Sequence, residues 1–151
     1  MKENLKVTKY NNNDSIPDST NSTWGTAAIG ARTEYVASGV SGYVGTYGYL
    51  YNWYAVNDSR KLCPSGWHVP SDSEWTYLSS YLGGQSVAGG KMKSTGTTYW
   101  NSQSSGTTNS SGFSALPGGY RDSNGSFGDI DTTFSFGVPT LILVAAFGSV
   151  A

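Results

Sequence analysis

Charged side chains are scarce in this sequence of 151 residues. Asp, Glu, Lys and Arg make up 13% of it, and its formal net charge is −1, whereas about 25% is typical of soluble proteins. A nucleic-acid-binding protein needs a basic patch that pairs with phosphates. The composition therefore argues against a nucleic-acid partner.

Cysteine and histidine occur once each, as Cys63 and His68. One cysteine forms neither an internal disulfide nor a multi-thiolate zinc site. Cys63 is thus either a buried small apolar residue or a thiol whose partner is missing from this chain. Pro64 and Gly66 indicate a turn that need not bring Cys63 to His68. We interpret His68 as structural and expect no catalytic residue, no enzymatic activity, no metal and no cofactor.

Long apolar runs are also missing. The longest spans residues 138–146, far short of the roughly 20 residues that a membrane helix needs. The first residues contain no apolar stretch of the kind found in signal peptides. The sequence predicts no membrane span.

Aromatic residues and glycine are abundant. Phe, Trp and Tyr make up 14% of the sequence, which contains 20 glycines and 11 tyrosines. Disordered chains combine few aromatics with high net charge, so this composition predicts a folded chain, and its length suits one domain. The region 42–56 is the densest in aromatics and is predicted to form core. We predict core positions for Trp53, Trp67 and Trp75, and a short strand within residues 1–10, where apolar residues alternate loosely.

The clearest local pattern is a helix start at Ser71. Glu74 follows three residues later, which is the spacing of a capping box, and Asp72 favours the positive end of the helix dipole. Apolar residues then recur at helical spacing, and two glycines supply a stop. The pattern predicts a helix from about residue 72 to residue 82. Its apolar face comprises Trp75, Leu78 and Leu82.

Three aspartates, Asp122, Asp129 and Asp131, lie in turn-forming sequence. Loop oxygens of this kind can ligate Ca²⁺, but the spacing does not match the EF-hand loop. We interpret them as solvated turn residues. Their oxygens are chemically suited to Ca²⁺, but their spacing does not support a Ca²⁺ site.

Four segments resemble, in order, the Fibrobacter succinogenes major paralogous domain. They are residues 50–56 (LYNWYAV), 62–70 (LCPSGWHVP), 88–93 (AGGKMK) and 112–121 (GFSALPGGYR). Shorter matches at residues 3–6 (ENLK), 8–10 (TKY), 74–75 (EW) and 82–84 (LGG) extend the resemblance to roughly residues 2–128. It implies a bacterial secreted protein or surface lipoprotein, located outside the cell or on its surface, with no established enzymatic activity.

Residues 66–75 also resemble the helix start of formylglycine-generating-enzyme-like domains. That resemblance implies the C-type-lectin-like fold, an α+β class with short helices, small antiparallel sheets and long irregular loops. The copper-binding cysteine pair of those enzymes has no counterpart here, so the likeness bears on fold and not on activity.

The end of the chain departs from the family pattern. Members continue with a Trp-Ser-Ser motif, a Trp-x-Arg motif and a final strand that carries a cysteine. In one shifted reading frame, residues 136–139 and 147–150 can encode Trp-Ser-Ser and Trp-Val-Arg. We therefore expect a C-terminally incomplete domain at 1–133 and an aberrant, frameshifted apolar tail at 134–151. Residues 141–144 nevertheless suit a buried strand.

These observations predict a binding or display module of a bacterial surface protein. Loops rich in Tyr, Ser, Gly and Asn resemble antibody paratopes in composition, and a glycan or a protein is the expected ligand. The alternatives are a spacer without a ligand and a degenerate enzyme of the formylglycine type. The predicted binding residues lie in the loop 94–112, on the segment after it and in the following turn: Trp100, Asn101, Tyr120, Arg121, Asp122 and Asn124.

Overall fold

The computed structural model describes residues 3–19, 24, 28–36, 42–101, 106–131, 142–143 and 147–148. The chain forms short helices and short strands, and the strand pairs are antiparallel, which confirms the predicted α+β class. The elements in chain order are β1 (Arg32–Thr33), α1 (Val44–Tyr47), β2 (Leu50–Tyr51), α2 (Trp53–Val56), β3 (Trp67–His68), α3 (Asp72–Tyr81), α4 (Gln85–Met92), β4 (Gly118–Arg121), β5 (Phe127–Ile130), β6 (Ile142–Leu143) and β7 (Phe147–Gly148). Within the described residues, no helix is long and apolar enough to span a membrane.

The described residues form three small sheets. Strand β2 lies between β1 and β6, β3 pairs with β7, and β4 pairs with β5 as a hairpin. Leu50 is opposite Leu143 in the β2–β6 pair, and Tyr51 is opposite Ile142. Strands β6 and β7 both lie in the apolar tail, so part of that tail does pair as strand, as its apolar residues predicted. That residues 134–151 depart from the native family ending stays a prediction.

The largest core cluster surrounds the fully buried Tyr51 and contains Leu5, Tyr10, Ile16, Ala55, Leu62 and Cys63. Over residues 3–10, the described part of the predicted N-terminal strand, the prediction is wrong, because single contacts rather than a ladder hold this segment. The Leu5 carbonyl accepts a hydrogen bond from the Tyr49 N–H, at 3.0 Å. The Tyr51 hydroxyl donates to the Val7 carbonyl, at 2.7 Å.

Cys63 is buried in this cluster as a free thiol, as expected of a small core residue. That its partner is missing from this chain stays a prediction. Burial raises the pKa of the thiol to about 11. A thiolate is the reactive form of cysteine, so Cys63 is protonated and unreactive near neutral pH.

Helix α3 begins with the predicted capping box. The Ser71 Oγ accepts from the Glu74 N–H at 3.3 Å, and Glu74 Oε2 accepts from the Ser71 N–H at 2.8 Å. The helix ends at Tyr81, and the chain leaves it through Gly83, whose φ of +99° only glycine adopts without a steric penalty. A second helix, α4, follows at once and was not predicted. Its buried residues, Ala88 and Met92, form a second, smaller core cluster with Leu82. Trp75, Leu78 and Phe113 are partly buried and pack against this cluster.

The core prediction for the tryptophans is wrong at two positions. Trp53 is 47% exposed and Trp67 is 44% exposed. Helix α2 has a single turn whose buried residue is the small Ala55, so Trp53 remains outside. Trp67 ends a turn in which its N–H donates to the Pro64 carbonyl. Trp75 is half-buried, and its ring lies edge-on to Phe113, with 6.2 Å between the ring centroids.

Candidate functional site

Trp100 belongs to the core and not to a binding surface. It is 2% exposed, and its Nε1–H donates to the Ser94 hydroxyl at 2.9 Å. The Lys93 ammonium lies 4.4 Å from the ring centroid. The prediction that this ring is displayed to a ligand is wrong, because burying a large apolar ring is more favourable than leaving it in water.

Arg121 is likewise used inside the fold. It is 2% exposed, and its guanidinium carbon lies 5.0 Å from the Trp24 ring centroid and 4.9 Å from that of Phe127. Its side chain donates to the carbonyl of Gly125 at 3.1 Å and to that of Ser19. The buried guanidinium fixes the β4–β5 hairpin against the N-terminal segment, so the prediction of a ligand contact is wrong here too.

The remaining predicted binding residues are more accessible. Tyr120 is half-buried on β4, and Asn101, Asp122 and Asn124 are exposed. The Asp122 N–H donates to the Ser126 carbonyl at 2.7 Å, and Asn124 Oδ1 accepts from the Ser126 N–H at 2.7 Å. These bonds shape the hairpin turn. A ligand-binding role for the four residues stays a prediction.

A groove of about 340 Å³ lies elsewhere, between the segment before β1 and the region around α2. We call it the α2 groove. Its apolar contacts are supplied by Ile29, which is 63% exposed, and Tyr54, which is 48% exposed. The full lining is Ala28, Ile29, Gly30, Tyr54, Asn57, Asp58, Ser59 and Arg60.

Asn52 joins the two walls of the α2 groove. Its buried amide donates from Nδ2 to the Ile29 carbonyl at 2.8 Å, while Oδ1 accepts from the Ala31 N–H and from the Ala55 N–H, both at 2.9 Å. The bond to Ala55 is an N-cap of α2. One side chain therefore positions the Ile29 wall against the helix that carries Tyr54.

At the other end of the groove, Arg60 forms ion pairs with Asp58 and Asp14. Arg60 forms a two-point contact with Asp58, at 2.9 Å from Nε to Oδ1 and 2.7 Å from NH2 to Oδ2. Arg60 NH1 also donates to Asp14 at 3.0 Å. Hydrogen bonding by Arg60 lowers the pKa of Asp58 to about 2. One face of the guanidinium lies over the Tyr10 ring, 4.1 Å from its centroid, while its edges donate to Asp58 and Asp14.

Gly30 allows the two walls to approach closely. A Cβ at this position would collide with the Tyr10 hydroxyl and lie 3.0 Å from the Ala55 Cα. Ala55 and Tyr10 are both core residues, at 0% and 2% exposure. Neither can retreat without a cavity or a backbone shift, so glycine is required for the groove to have this width.

His68 lies outside the groove and supports the helix start. Its Nε2 is 2.7 Å from Glu74 Oε1. Hydrogen bonds from Ser71, and then from His68, lower the pKa of Glu74 to about 2.

Among the described residues, no three His, Cys, Asp or Glu side chains are grouped so as to hold a metal ion. The expected absence of a metal or cofactor stays a prediction.

Sequence reasoning missed every residue of the α2 groove. Asn52 directly precedes a helix and is a favoured N-cap residue, and the Asp58-Ser59-Arg60 run favours a turn closed by its own side chains. These two signals locate the turn and the cap. They do not show that residues 28–30 lie opposite, because that contact is set by Asn52 across more than twenty residues of chain.

Comparison with known proteins identifies a family for the chain and gives no information on the α2 groove. The family model described as the Fibrobacter succinogenes major domain matches residues 1–140. No curated protein and no solved structure matches the chain. The matched segment is most of the sequence and includes α1–α4 and β1–β5. The chain therefore belongs to the Fibrobacter succinogenes major domain family.

Proposed function

We propose that this chain is a non-enzymatic binding or display module at a bacterial cell surface. The proposal is carried by one observation: large aromatic side chains are exposed on the folded domain. Tyrosine and tryptophan recur in the central contacts of recognition surfaces. The exposed rings, which are between 44% and 79% accessible, are Trp53, Tyr54, Trp67, Tyr77 and Tyr81.

Two of these rings lie on the same helix face. Tyr77 and Tyr81 are four residues apart on α3 and are 76% and 79% exposed. Exposed apolar ring surface costs about 25 cal/mol per Å² relative to burial, so several such rings on one small domain favour a surface that is covered in use. A spacer without a ligand requires no such surface.

Cys63 and His68 are the single cysteine and the single histidine of the chain, and their environments favour a role other than catalysis. The Cys63 thiol is buried and has a raised pKa, and His68 is engaged with Glu74. The low charge content and the bacterial family support a location outside the cell. The α+β architecture is compatible with the C-type-lectin-like topology, which we propose as the fold.

The test is direct binding of the fluorescently labelled chain to two arrays, one of glycans and one of bacterial and host surface proteins. We expect retention on at least one array. A Tyr77→Ala/Tyr81→Ala variant and a Trp53→Ala/Tyr54→Ala variant identify which rings are used. Thr76→Ala/Ser80→Ala, on the same helix, is the matched control. No retention on either array would contradict the proposal and favour the spacer.

A further inference from the structure

We propose that the α2 groove is a subsite for a neutral saccharide. The inference rests on the proposed binding function and adds to it a location and a ligand class. It is carried by three features of the groove: an exposed ring and alkyl surface, unengaged amide and hydroxyl groups, and a cation whose charge is already neutralised.

The first feature is the pair Ile29 and Tyr54. Both line the groove and both are about half or more exposed. A pyranose ring presents C–H groups on one face, and these pack against an aromatic ring while the sugar hydroxyls remain at the edge. Tyrosine supplies a rigid contact area with little loss of side-chain freedom, so Tyr54 is suited to be the stacking surface.

The second feature is the polar edge formed by Asn57 and Ser59. Both are exposed, and neither side chain makes a hydrogen bond within the described part of the chain. An asparagine amide offers two donors and a carbonyl acceptor, and a serine hydroxyl offers one donor and acceptor lone pairs. Sugar hydroxyls also donate and accept, so the two sets of groups complement each other.

The third feature is charge. Arg60 is the cation of the groove, and its side chain is bound by Asp58 and by Asp14. Two carboxylates around one guanidinium leave a local charge of −1. A phosphate or a sugar acid would meet net repulsion from the two carboxylates and a guanidinium that already donates to both of them. A neutral ligand meets neither obstacle.

The walls of the groove are already fixed without a ligand. The Asn52 amide positions Ile29 against α2, and the Asp58–Arg60 contact fixes the turn that carries Asn57 and Ser59. A preorganised site loses little ordering entropy on binding. Its volume of about 340 Å³ lies at the lower end of the range for small-ligand sites, which suits one or two sugar rings of a longer chain.

The experiment uses the whole chain and defined oligosaccharides. The neutral probes are maltohexaose, cellohexaose, xylohexaose, mannohexaose and chitohexaose, and the acidic probe is hexagalacturonate. Isothermal titration gives the affinity, and ¹H–¹⁵N spectra locate the site. We expect at least one neutral probe to bind and to shift the amides of residues 28–30 and 54–60, with no binding of hexagalacturonate.

Three variants make the assignment specific. Tyr54→Ala should weaken binding about tenfold or more, because loss of a central aromatic contact dominates a small interface. Tyr54→Phe keeps the ring and should bind within about twofold of the original chain. Thr76→Ala/Ser80→Ala removes two exposed hydroxyls that do not line the groove and should change nothing. Equal urea midpoints of the four proteins show that the fold is retained.

The remaining outcomes overturn the inference. They are the absence of binding by every neutral probe, shifts confined to residues outside the groove, unchanged affinity in Tyr54→Ala, or tighter binding of hexagalacturonate. If the labelled chain is retained on the protein array while no saccharide binds, the proposed binding function stands and the saccharide assignment fails. If neither array retains it, both fail.

Discussion

The Nδ2 atom of Asn52 donates a hydrogen bond of 2.8 Å to the carbonyl oxygen of Ile29. The same amide caps α2 through Ala55, and the Asn52 N–H donates to the Ala31 carbonyl at 3.0 Å. Residues distant in sequence thus share one buried side chain, which sets both a local helix start and the position of a groove wall.

We expect Asn52→Ala to be among the most destabilising single changes in this region. It removes the helix cap, worth about 0.5–2 kcal/mol, and leaves the Ala31 N–H buried without its partner, at about 1–3 kcal/mol. The hydrogen bond to the part-buried Ile29 carbonyl is lost as well. A loss of at least about 1.5 kcal/mol in the free energy of unfolding follows, measured by urea denaturation. Asn57→Ala is the matched control, because that side chain is exposed and should change stability by less than about 0.5 kcal/mol. Equal losses would contradict the role of Asn52.

The tryptophans should separate into two groups when each is replaced by alanine. Trp100→Ala creates a cavity in the core and is expected to cost about 3–5 kcal/mol. Trp53→Ala and Trp67→Ala remove rings that are nearly half exposed, so each should cost about 1 kcal/mol or less. Urea midpoints of the three variants decide the matter. A Trp53→Ala loss as large as that of Trp100→Ala would mean that the Trp53 ring is more deeply packed than the structure shows.

The sequence predicted local features better than distant contacts. The α3 start depends on Ser71 and Glu74, three residues apart, so its pattern is complete within one turn of chain. Trp53 and Trp100 each lie among polar and aromatic neighbours in the sequence, yet one is exposed and the other buried. That difference depends on what packs against each ring, and neither periodicity nor composition carries this information.

The dependence on tertiary contacts also explains why the candidate site was not predicted from the sequence. Arg121 and Tyr120 follow a turn-rich loop and have side chains typical of binding surfaces, but the structure uses Arg121 between two aromatic rings. The α2 groove combines residues 28–30 with residues 54–60, and the pairing requires the long-range hydrogen bonds of Asn52. The α+β class and the family were predictable because they depend on motifs, whereas the groove depends on tertiary contacts.

Ser71→Ala should destabilise the chain by about 1 kcal/mol, the usual cost of losing an N-cap serine. Helix α3 has no fully buried residue, so its start relies more on local hydrogen bonds than on packing. Ser80→Ala, an exposed change on the same helix, is the matched control and should be close to neutral. The measurement is the urea midpoint at neutral pH, and an unchanged midpoint for Ser71→Ala would contradict the contribution of the capping box.

Glu74→Gln should alter how stability depends on pH. The pKa of Glu74 is lowered from 4.5 to about 2 in the folded chain, so folding favours the ionised carboxylate. The folded chain therefore binds fewer protons at this site than the unfolded chain between these two values. The stability that Glu74 contributes is complete above about pH 4.5 and is lost as the pH falls toward about 2. The pKa is lowered because the ionised carboxylate accepts hydrogen bonds from Ser71 and His68.

Glutamine at this position still accepts the Ser71 N–H in a capping box but does not titrate. At pH 7 the Glu74→Gln chain should be the less stable of the two, and the difference should shrink as the pH falls from about 5 to about 2. Asp58, whose pKa is also lowered to about 2, titrates in both chains, so both lose stability in acid and only the difference reports on Glu74. Thermal midpoints recorded across this range provide the test. Two parallel curves would show that the Glu74 carboxylate is not preferentially ionised in the folded state, and that the contacts with Ser71 and His68 are not what stabilises it.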